Sequence, residues 1–99
     1  MPALFEYSNV YASALQILKE KGYQLWFDSS ENIFWAERDG WDFASESPCG
    51  LLGLVALYEY RAPTEYKEYW WRTEGIDTRD LPREPQPYAS ALVVRQPKR

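Results

Sequence analysis

The chain has no histidine, and only one cysteine and one methionine among its 99 residues. Each shortage closes off a class of chemistry. Without histidine there is no Ser-His-Asp or Cys-His pair to activate a nucleophile, and no imidazole to hold a metal. A single cysteine, Cys49, can form neither an internal disulfide nor a cysteine-based zinc site. Long hydrophobic runs are missing too. The longest, Leu51 to Tyr58, is interrupted by Gly53 and is far shorter than the roughly 20 apolar residues that span a bilayer. The opening residues, Met1-Pro2-Ala3-Leu4-Phe5-Glu6, lack the basic stretch and apolar run of a signal peptide. Together with the lone thiol, this leads us to expect a cytoplasmic, reducing location and no membrane partner.

What is present is aromatic and acidic. Tryptophan, tyrosine and phenylalanine make up 17% of the chain and the formal net charge is −4, so the sequence is too apolar for a disordered chain. Its length suits one domain. Residues 1–72 hold 11 acids and 6 bases, and residues 73–99 hold 4 acids and 5 bases. All the aromatics except Tyr88 also fall in the first part. The core therefore belongs to residues 1–72, and residues 73–99, with Pro82, Pro85, Pro87 and Pro97, are expected to form an extended C-terminal segment. Ser90 to Arg95 within it could add a strand to a sheet edge, in this chain or a partner.

The periodicity predicts an α+β fold. Tyr11, Ala14, Leu15 and Leu18 repeat at helical spacing over Asn9 to Lys21, with Ser8 or Asn9 as the expected cap and Gly22 as the stop. Three short runs of period two follow: Tyr23 to Asp28, Ile33 to Arg38, and Trp41 to Glu46. Ser29-Ser30-Glu31-Asn32 separates the first two, and Asp39-Gly40, a strong hairpin signal, the last two. Ser47-Pro48 then opens a second helix, to about Tyr60, in which Gly50 and Gly53 read as points of close approach to the sheet. Tyr66, Tyr69 and Trp70 predict a further short helix over Thr64 to Arg72. The expected architecture is a two-layer sandwich: an N-terminal helix, a three-stranded antiparallel meander, one or two helices, and the Pro-rich C-terminal segment. The meander carries aromatics in both phases, and one face cannot bury them all.

The catalytic readings are weak. Paired carboxylates abound by composition alone, and a chain this short has little room for a sugar-sized cleft. No Asp-x-Asp pattern, calcium loop or Gly-rich phosphate loop occurs, so no enzyme activity, cofactor or metal is expected. Cys49 reads as a small helix residue. The stretch holding Tyr58, Tyr60, Tyr66, Tyr69, Trp70 and Trp71 could stack single-stranded bases, but its few cations stand beside Glu59, Glu65 and Glu68, and core packing or a partner groove fits it better. An acidic chain is also poorly matched to a phosphate backbone, so nucleic acid is not an expected partner.

The distinctive segment runs from Asp28 to Glu46. It carries Asp28, Glu31, Glu37, Asp39, Asp42 and Glu46, interleaved with Phe34, Trp35, Trp41 and Phe43 and preceded by Trp26, and its one base is Arg38. Two readings stand side by side. The segment is either an acidic, aromatic surface that docks on a basic protein, or a solvated meander whose charges prevent edge aggregation. On the first, the chain is a small acidic inhibitor of the immunity or antitoxin type, neutralising a basic toxin or nuclease through Trp26, Asp28, Glu37, Asp39 and Asp42. The alternatives are a structural or regulatory homodimer and a small-ligand-binding module.

Overall fold

The protein is described by a computed structural model over residues 3–85. Its elements, in chain order, are helix α1 (Tyr11–Glu20), strands β1 (Gln24–Asp28), β2 (Ile33–Arg38) and β3 (Trp41–Ser45), and helix α2 (Pro48–Arg61). The strands form one antiparallel sheet in the order β1-β2-β3. The α+β expectation is met, and the helices form one layer against the sheet. Ser90 to Arg95 lies outside the described residues.

α1 starts later than its capping residues suggested. Ser8 and Asn9 are taken up in a 3-10 turn (Ser8–Val10), and Val10 stands at the cap position with no side-chain hydrogen bond. The Tyr11 N–H is satisfied by the Ser8 carbonyl instead, so the orphan donor of the first turn finds a backbone partner. At the other end Gly22 adopts φ +92°, the left-handed conformation that glycine enters without penalty. Arg38 closes this end as well: its Nη1 donates to the Lys21 carbonyl at 2.7 Å, and its guanidinium lies 4.8 Å from the Tyr23 ring centroid.

The Asp39-Gly40 turn has φ of +54° and +85° at its two central residues, as a two-residue hairpin connection requires. It sets Arg38 opposite Trp41, and so fixes the register of β2 on β3. α2 opens as expected. Ser47 is extended, its Oγ accepts the Gly50 N–H at 2.9 Å, and Pro48 follows in the first turn. The two glycines of α2 prove different. A Cβ at Gly50 would run into the Ser45 side chain, whereas one at Gly53 would meet nothing within 4 Å. Only Gly50 is a close approach.

The core is a single cluster of Leu18, Tyr23, Ala36, Phe43, Leu51 and Val55, partly covered by Leu25, Phe34, Trp41, Leu52, Leu54, Tyr58 and Trp70. It takes residues from α1, all three strands or their flanks, and α2. Full burial of a leucine such as Leu18 or Leu51 contributes about 2 kcal/mol by transfer from water. Lys21 and Glu59 pair at 3.0 Å where the two helices come close.

The expected helix over Thr64 to Arg72 is not formed. Bends and turns occupy this stretch, and Tyr69 has φ +60°, a left-handed value that no α-helix contains. Two of the three aromatics that suggested a helix, Tyr66 and Trp70, pack instead on an adjacent wall. Trp41 meets Tyr58, Trp70 and Tyr66 at centroid distances of 5.1, 5.5 and 6.4 Å. Trp70 is thus an anchor that pins the chain against the end of the sheet. Beyond it, Thr78–Asp80 make a 3-10 turn capped by Asp77, and Ile76 and Leu81 are exposed.

A candidate interaction face on the open side of the sheet

Side chains alternate between the two faces of a strand, so the strand pairing assigns each residue to a side. Leu25, Ala36 and Phe43 are cross-strand partners and point at the helices, where Ala36 and Phe43 are buried. Their sequence neighbours point the other way. One row of that second face is Gln24, Glu37 and Asp42, the next is Trp26, Trp35 and Ala44, and Asp28 with Ile33 begins a third. Among the described residues no helix or strand covers this face.

The Trp26 and Trp35 rings are stacked, with centroids 5.8 Å apart and planes 2° from parallel. Trp26 remains 47% exposed. Trp71 is exposed to the same extent, but Trp26 lies beside a second indole on the sheet, and burying it against a partner would be favourable by more than about 1 kcal/mol. Trp35 has Trp26 on its β1 side. On its β3 side stands Ala44, a single methyl.

The proposed site residues are distributed as follows. Trp26, Asp28, Glu37 and Asp42 all fall on the open face, and Asp39 sits at the adjoining turn. Glu37 and Asp42 are direct cross-strand partners, a like-charge pairing that costs stability. Glu37 also braces the hairpin turn, its carboxylate accepting the Gly40 N–H at 3.0 Å. Asp28 holds the preceding turn in a similar way. It accepts from the Ser30 hydroxyl at 2.6 Å and the Ser30 N–H at 3.0 Å, and these bonds, the hydroxyl's first, hold its carboxyl below the usual range. Asp39 projects outward, with its carboxylate 3.7 Å from Arg38 Nε and its side chain 83% exposed. Arg38 itself belongs to the opposite side of β2, against Tyr23 and the end of α1. The one base of the segment is therefore turned away from the Glu37–Asp42 row, while keeping its ion pair with Asp39 at the turn.

Trp35 also belongs to this face, although the sequence-based set does not contain it. Hairpin arithmetic points to it: the Asp39-Gly40 turn pairs residue 38 with 41, hence 37 with 42 and 35 with 44. Acidity also extends past the β3 edge, where Gly40, Trp41, Asp42, Glu65 and Tyr66 line a shallow hollow of about 460 Å³.

Other features of the surface are less developed. Phe43, Leu54, Leu57, Trp70 and Trp71 enclose an apolar hollow of about 220 Å³, below the size of ordinary ligand pockets. Among the described residues there is no cluster of three or more acidic or cysteine side chains placed to hold a metal. No charged side chain among them is buried. Burial does raise the Tyr23 hydroxyl's pKa, and that hydroxyl has no hydrogen-bond partner. It is enclosed in the core, away from the open face. No helix among the described residues is long and apolar enough to cross a membrane. No family model matches the chain, and neither a curated protein nor a solved structure matches it.

Proposed function

We propose that this chain is a non-enzymatic protein-binding protein that acts in the cytoplasm as a small acidic inhibitor of the immunity or antitoxin type. Its partner is a basic protein, such as a toxin or nuclease whose active site is built for phosphate. The observation that carries this reading is the open sheet face, where the stacked Trp26 and Trp35 lie between the Glu37–Asp42 row and Asp28. Aromatic side chains at the centre of a contact supply most of its energy, and surrounding charge of one sign accelerates encounter and fixes orientation. The like-charged Glu37–Asp42 pair lowers fold stability, and a basic partner would relieve it.

The test uses the full chain as bait in its source cell, followed by titration of whatever purified partner is recovered. Wild type is compared with Trp26→Ala and with Asp39→Lys/Asp42→Lys. The expected result is one basic partner, bound at least about tenfold more weakly by each variant, with the double variant showing a shallower salt dependence. Unchanged affinity and salt dependence in both would refute the face. Recovery of the chain's own untagged copy alone would instead favour the homodimer.

A further inference from the structure

We propose that the open face is built to take an arginine side chain of the partner, seated over Ala44 against the free side of the Trp35 indole and flanked by Asp42 and Glu37. This rests on the interaction-face reading above and specifies the chemistry of its occupant. Three observations lead to it. Trp26, the β1 cross-strand partner of Trp35, is stacked on it. The next residue across the sheet is Ala44, so a side chain laid there meets the indole with only a methyl beneath it. Asp42 precedes Ala44 by two residues on the same face, and Glu37 faces Asp42 across the strand pair. The negative charge of Glu37 and Asp42 thus stands beside Ala44, and the neighbouring Arg38 lies on the other side of the sheet, held by the Lys21 carbonyl, the Tyr23 ring and Asp39.

A guanidinium fits this arrangement better than an ammonium. It is planar, stacks on an indole with little loss of hydration, and presents a fork of donors to carboxylates beside it. A lysine can satisfy the charge but not the plane. A second copy of the chain is a poor occupant, because it would bring the same acids face to face. Arg95, Lys98 and Arg99 are cations within the chain itself, and the experiment separates them from a partner's arginine.

The experiment titrates the full chain with acetylated hexa-arginine, and separately with hexa-lysine and hexa-glutamate. Indole N–H resonances and tryptophan fluorescence are the readouts. The expected result is a shift of the Trp35 and Trp26 indole signals by hexa-arginine, binding about three- to fivefold tighter than hexa-lysine, and no response to hexa-glutamate. Ala44→Leu, which fills the recess and leaves both indoles in place, should abolish the arginine preference, and Asp42→Asn should weaken both basic peptides together. Equal binding of the two basic peptides, unaffected by Ala44→Leu but weakened by Asp42→Asn, would overturn the arginine site and leave the acidic face standing. No indole shift with either basic peptide would overturn both. A shift seen only when Arg95, Lys98 and Arg99 are replaced by Glu would make the chain's own C-terminus the occupant and refute the partner site.

Discussion

Exchanging Asp42 for lysine should stabilise the fold while weakening its binding. Glu37 and Asp42 are direct cross-strand partners, which places their Cβ atoms about 5 Å apart. Two carboxylates about 6 Å apart repel by about 0.7 kcal/mol in bulk water. Physiological salt, with a Debye length of about 8 Å, roughly halves this. Asp42→Lys replaces repulsion by attraction of similar size, so the gain is about 0.7 kcal/mol in physiological salt and about twice that in dilute buffer. In a domain of this size that amounts to a rise in Tm of about 3–6 °C in physiological salt and about 6–11 °C in dilute buffer. The assay is urea unfolding of wild type, Asp42→Asn and Asp42→Lys at low and high salt, read as the midpoint at constant slope. Asp42→Asn, which keeps the shape and the poor strand preference, should recover about half the gain. A lysine variant no more stable than the asparagine variant, or a gain indifferent to salt, would refute the repulsive pair. A stability gain coupled to lost binding is the pattern expected of a residue kept for contact rather than for folding.

The two glycines of α2 should respond in opposite directions. Gly53→Ala, with open space around it, should raise stability by about 0.5–1 kcal/mol, whereas Gly50→Ala should lower it because Ser45 must move. Both are read by thermal or urea unfolding. Leu51→Ala, at a fully buried position, should cost about 2–5 kcal/mol by the same measurement, through lost transfer energy and the cavity left behind. For Asp28, hydrogen bonds from Ser30 depress the folded carboxyl's pKa, so its contribution is present above the unfolded carboxyl's pKa and is lost as pH falls through the folded one. Carboxyl NMR titration should find Asp28 ionised to lower pH than an unhindered aspartate. Ser30→Ala, which removes the largest cause, should move it back up.

The elements that short-range chemistry controls were legible from the letters. Asp39-Gly40, Ser47-Pro48 and Gly22 each impose a backbone conformation that few other residues accept, and each is found where it was expected. The failures have one source: a local pattern with two physical causes. Ser8-Asn9 looks like a cap, but the chain makes a 3-10 turn there and bonds its own backbone. Tyr66, Tyr69 and Trp70 are spaced like a helix, but Tyr66 and Trp70 pack on Trp41, and Trp70 also on Tyr58, residues distant in sequence, whereas Tyr69 stays exposed beside Trp71. Gly50 and Gly53 look alike in sequence, and only the position of Ser45 separates them. The candidate face was half legible. Alternation showed that aromatics occupy both sides of the sheet. Pairing register then had to say which Trp met which, and that Arg38 lies on the opposite side of the sheet from Glu37 and Asp42.

The measurement that bears most directly on the central claim is amide and indole hydrogen exchange of the full chain, free and in complex with its captured partner. Protection centred on Trp26, Trp35, Glu37, Asp42 and Ala44, with the helical side unchanged, is the predicted outcome. Protection centred instead on Leu57, Trp70 and Trp71, with the open face exchanging as before, would contradict it.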